Sequence, residues 1–100
     1  MAALHERARL LAAQREDRRA QREILRRNEP LARAIARRLR MPPGCDRREI
    51  AQEARLGLLA AIRAWRPQCG PFPAFARLCA LDHARNAIDA AGARKHQLLS

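Results

Sequence analysis

The residues best equipped for chemistry stand in one stretch, REIAQEARLGLLAAIRAW, residues 48–65, where Glu49, Gln52 and Glu53 cluster near the front of an apolar segment. Two carboxylates and an amide accept hydrogen bonds from a basic surface, and the carboxylates repel phosphate. Their local alternative is electrostatic, because acidic side chains favour the positive N-terminal end of a helix dipole. A second pair, Cys79 and His83, is four residues apart, which places a thiol and an imidazole on one helix face as half of a metal site. No other pair stands at ligand spacing, so the reading is a core cysteine beside a polar histidine. There is no paired-carboxylate site, no nucleophile beside a base and no glycine-rich phosphate loop. The expectation is a binding protein that is not an enzyme, with no cofactor and no metal.

Around that acidic group the chain is basic. Lys and Arg number 21 against 10 Asp and Glu, a formal net charge of +11. Such a potential attracts phosphate polymers and makes nucleic acid the leading partner class. Lys95 is the sole lysine, and Arg binds phosphate and guanine edges in bidentate fashion. A GC-rich coding sequence raises Arg and Ala together, so composition alone does not decide. Cys45, Cys69 and Cys79 form neither the even set of a disulfide framework nor a zinc knuckle, and they suit a reducing cytoplasm. No apolar run approaches the roughly 20 residues that span a bilayer. With Glu6, Arg7 and Arg9 so early, the N-terminus lacks a secretory pattern, and the expected location is cytoplasmic.

The elements that must position these residues read as helices. In 100 residues, aromatic content is 3%, Ala and Leu dominate the apolar set and β-branched residues are scarce. A small domain closes its core most economically with such local structure, so the expected fold is all-α, a small bundle of about four helices. Residues 1–27 read as a basic helical arm with a thin apolar stripe of Leu4, Ala8, Leu11, Ile24 and Leu25. Asn28 and Pro30 either start a new helix or kink a longer one, and Leu31, Ala34, Ile35 and Leu39 then repeat at helical spacing. MPPGCD, residues 41–46, stops that helix, and Asp46 with Glu49 makes a capping-box-like start for the next. Ile50, Ala54, Leu58, Ala61, Ile62 and Trp65 fall on one face as core, while positions 48, 52, 55 and 59 form a strip beside it. RPQCGPFP, residues 66–73, is the second break. A last helix is expected from about Ala74 to Ala91, with Gly92 as its C-cap and 93–100 as a basic tail.

In this order the parts resemble region 2 of the sigma-70 family, the bacterial RNA polymerase initiation factors. The resemblance runs over about residues 24–100, through NEPLARAIARRLRMPPGCDRREIAQEARLGLLAAIRAW, CGPFPAFARLCA and AIDAAGARKHQ. The flavour is that of sporulation and stationary-phase alternative sigma factors. Its most specific piece is EIAQEARLGL, taken with the upstream NEPL helix and the downstream Gly-x-Phe-x-x-Phe-Ala.

The resemblance implies roles. The 48–65 helix would dock on the clamp helices of the polymerase β′ subunit through Arg48, Glu49, Gln52, Glu53, Arg55 and Leu59, so that its acidic group meets a basic protein surface instead of DNA. Promoter −10 DNA would be contacted by Phe72, Phe75, Arg77, Asp82, Arg85, Arg94 and Lys95, with aromatic rings as stacking platforms and cations on phosphates. Three departures stand out. Leu78 and Cys79 occupy positions that often hold Trp, Asp82 stands where relatives carry Gln or Arg, and Arg66 replaces the acid that commonly follows the aromatic at Trp65. The expectation is also a factor without the C-terminal −35-reading domain. Three functions remain open: a minimal sigma-like initiation factor; a regulatory or decoy module that occupies the clamp helices, in one form beside a separate −35-binding protein; and a basic helical protein that binds DNA without sequence preference.

Overall fold

A computed structural model describes the backbone of residues 2–99 and the side chains of residues 7–93. Among these residues the fold is all-α: α1 (Ala2–Gln14), α2 (Arg18–Arg27), α3 (Glu29–Arg38), α4 (Arg47–Ala64), a 3-10 turn (Pro67–Cys69) and α5 (Phe72–Leu99). Among the described residues no helix is long and apolar enough to cross a membrane.

The arm expected over residues 1–27 is a helical hairpin that joins the core. Glu16 takes a left-handed φ of 64°, and the Asp17 carboxylate then accepts from the backbone N–H groups of Arg19 and Ala20, which starts α2. The turn folds α1 back so that Leu10 and Ala13 are buried with Ile24. The Gln21 amide closes the turn by donating to the Ala13 carbonyl at 2.8 Å. Asn28 ends α2 and opens α3 in a single residue. Its side-chain amide donates backward to the Ile24 carbonyl at 2.8 Å and makes no cap for α3, so the NEP segment is a sharp bend with Pro30 in the first turn.

Helix α4 is the central element, packed against every other helix, and α5 is its principal partner. Asp46 caps it by accepting from Arg48 N–H at 2.8 Å, after a loop whose Gly44 sits at a φ of 94°. Ala54 and Ala61, with the larger Leu58 and Ile62, are buried in one core cluster with Ala76, Ala80 and Ala84 of α5, a seam rich in alanine. Gly57 allows the helices to approach: a Cβ there would lie 2.6 Å from the Cys79 carbonyl oxygen and 2.7 Å from Ala80 Cα. Trp65 closes one end of the core, and its indole N–H donates to the Gly70 carbonyl at 2.9 Å.

Helix α5 runs through Gly92 to Leu99, where a C-cap and a tail were expected. A glycine in a helix interior costs only about 1 kcal/mol against alanine, and no proline follows to break the backbone hydrogen bonding.

Candidate docking ridge and nucleic-acid face

Helix α4 stands as a ridge between two grooves. At about 100° per residue, Arg48, Gln52, Arg55 and Leu59 share one line along it, and Glu49 and Glu53 lie well round toward the other side. The sequence reading grouped all six. The structure divides them: Arg48, Gln52 and Arg55 line the groove shared with α3, whereas Glu49 and Glu53, with Asp46, line the groove shared with α5 and the 42–46 loop. Leu59 is half-buried beside the crest.

The α3 side is held by a fork. Arg55 donates from Nε to Glu29 Oε2 at 2.8 Å and from Nη2 to the same carboxylate, while its Nη1 donates to Gln52 Oε1 at 2.7 Å. The guanidinium therefore ties α4 to the start of α3 and fixes the Gln52 side chain on the crest. The Arg55 hydrogen bond is the main reason the Glu29 carboxyl lies below its ordinary value of 4.5, with burial opposing and Arg33 adding to the fall. The Arg55 guanidinium is raised in return. Arg47, about two turns nearer the N-terminus, donates to the Ala36 and Arg37 carbonyls at 2.7 and 3.1 Å, which caps the C-terminal end of α3.

Two parts of this ridge escaped the sequence reading. Glu29 is 26 residues from Arg55, and no local periodicity signals such a pair. Leu56 is 49% exposed between Gln52 and Leu59, and its position, four after one and three before the other, was a readable signal.

The face expected to meet DNA lies on α5. Arg77, Asp82 and Arg85 are exposed, and among the described residues Asp82 and Arg85 enter no ion pair, with each other or elsewhere. Leu78 is 66% exposed, and with Leu81, Asp82 and Arg85 it borders a shallow depression. Phe72 is only 4% exposed and sits in the core, so as folded it offers no ring face to a base; Phe75 is half-buried against the same core. Burial pushes the Cys79 thiol above its ordinary value of 9.0, with the Asp82 charge adding to it, so the group stays protonated and unreactive near neutral pH. The side chains of Arg94 and Lys95 lie outside the described residues. No group of three or more potential metal ligands comes together among the described residues.

No curated protein and no solved structure matches the chain. The family model for Sigma-70 region 2 matches residues 24–94, which takes in α3, α4, both loops and most of α5. With well over half its length matched, the chain belongs to the Sigma-70 region 2 family, whose role is RNA polymerase binding and promoter engagement.

Proposed function

We propose that this protein is a sigma-like initiation factor that docks on the β′ clamp helices of core polymerase through the crest of α4 and contacts promoter −10 DNA through α5. The observation that carries the reading is the crest itself. Gln52 is exposed, held by Arg55 and followed by the exposed apolar Leu56, and no described neighbour covers this ridge inside the family-matched segment. A polar group fixed in place beside an exposed leucine is the composition of a protein-binding surface, with an anchor and an orienting hydrogen bond.

The test is co-purification with core polymerase. Gln52→Ala with Glu53→Ala is expected to abolish it with an unchanged circular dichroism spectrum, since neither residue belongs to the buried core. Retained binding would sink the reading.

Two observations favour a second reading, in which the module occupies the clamp helices without productive initiation. Phe72 is closed off in the core, and Asp82 puts a carboxylate on the face that would approach phosphate. Run-off transcription on −10-containing templates separates the two, because a decoy yields no transcript at any salt concentration.

A further inference from the structure

The two flanks of α4 carry opposite charge. On the α3 side the walls of a groove of about 480 Å³ are formed by Arg33, Arg37, Arg47, Arg48 and Arg55, over a floor of Ala36 and Ala51. Among the described residues no carboxylate lines it. The adjoining Glu29 answers Arg33 and Arg55, and Arg47 is occupied with the carbonyls of α3. Arg37 and Arg48 are exposed, and their side chains have no hydrogen bond or ion pair among the described residues. On the α5 side Asp46, Glu49 and Glu53 line a larger groove of about 860 Å³, and Glu49 and Glu53 enter no ion pair among the described residues.

A uniformly basic partner would gain on the α5 flank and lose on the α3 flank, and a polyanion such as DNA would do the reverse. Between the flanks the crest presents Leu56, which gains from apolar contact and nothing from phosphate. The surface is complementary to a protein that carries acid on one side and base on the other.

We infer that the α3–α4 groove receives an acidic segment of the polymerase partner, so that carboxylates meet Arg37 and Arg48 while cationic side chains meet Glu49 and Glu53 across the crest. The inference rests on the docking reading above and deepens it, because a bipolar contact admits one orientation of the partner and penalises the reversed one.

The experiment measures affinity for core polymerase as a function of salt for the wild-type chain, Arg37→Glu/Arg48→Glu, Arg37→Lys/Arg48→Lys and Glu49→Arg/Glu53→Arg, with circular dichroism as the fold control. Each charge reversal is expected to weaken binding by roughly tenfold or more and to flatten its salt dependence, and the Lys pair to bind close to wild type. If the Glu49/Glu53 reversal weakens binding and the Arg37/Arg48 reversal does not, the acidic-segment inference is overturned and the docking reading stands. A wild-type chain that fails to bind core polymerase brings down the docking reading and the inference together. If the Arg37/Arg48 reversal keeps polymerase affinity and loses affinity for duplex DNA, the groove is a nucleic-acid site and the inference is overturned.

Discussion

The family resemblance places Arg55 among the docking residues, and its guanidinium is turned onto Glu29 while the side chain stays partly exposed. Its fork on Glu29 and its third bond to Gln52 hold that amide in place, so under the proposed docking it would be a positioning residue that works through Gln52. Arg55→Ala is expected to lower stability by about 1 kcal/mol, since both ends of the pair are partly exposed and solvent screens their attraction. For a domain of this size that is a fall of roughly 4–8 °C in Tm. Arg55→Lys recovers charge without the fork, so it should restore part of the stability and little of the Gln52-dependent affinity. The pH dependence follows from Glu29. Its folded value is depressed, so the pair's contribution is full above the ordinary 4.5 and is lost as pH falls through the lower folded value. Glu29→Gln is expected to flatten that acid limb in thermal melts taken from neutral to acidic pH. The sequence made the Arg55 position legible and its partner illegible, because the pair spans a loop and two helices.

At the scale of elements, two glycines inside helices separate what sequence shows from what packing decides. Alanine is the better helix former by about 1 kcal/mol, so helix propensity alone predicts stabilisation at both. At Gly57 the new methyl would meet backbone atoms of α5 at 2.6 and 2.7 Å, and backbone cannot step aside as a side chain does. Separating α4 from α5 costs about 1–3 kcal/mol and opens the alanine seam, so Gly57→Ala is expected to lower the denaturant midpoint. At Gly92 nothing among the described residues lies within 4 Å of the added atom, and the residue is helical. Gly92→Ala is therefore expected to raise the midpoint by the equivalent of about 0.5–1 kcal/mol. Opposite signs for one substitution in one protein are the check. The core face of α4 from Ile50 to Trp65 and both proline-rich breaks were legible, because apolar spacing and prolines are local signals. The continuation of α5 was not, since a glycine near a helix end resembles a cap until its backbone is seen.

Over the whole molecule, the unit that folds is larger than the unit that the family model matches. The match begins at residue 24, yet α1 supplies Leu10 and Ala13 to the same core and places Gln14 at the far end of α4. There the Gln14 amide donates to the Ile62 and Trp65 carbonyls at 3.0 and 2.7 Å, which satisfies the last turn of α4. A reading of residues 1–27 as an arm missed this, because its thin apolar stripe and many arginines resemble an exposed helix when the turn at Glu16 and Asp17 is unseen. A chain beginning at Arg18 loses the burial of Leu10, about 1.5–3 kcal/mol, and the two Gln14 hydrogen bonds, about 1 kcal/mol, which leaves the Ile62 carbonyl to solvent and the Trp65 carbonyl with Arg66 alone. That sum is a large share of the roughly 5–15 kcal/mol that holds a domain together. Such a chain is expected to unfold at a clearly lower urea concentration than the full one. Its helical circular dichroism at low temperature should persist, because the α3–α4 and α4–α5 packing is untouched. Polymerase affinity measured below the unfolding transition should change little, since among the described residues neither flank of α4 nor its crest borrows one from α1. An unchanged urea midpoint would make α1 a dispensable arm after all, and a loss of affinity without loss of fold would make it part of the interface.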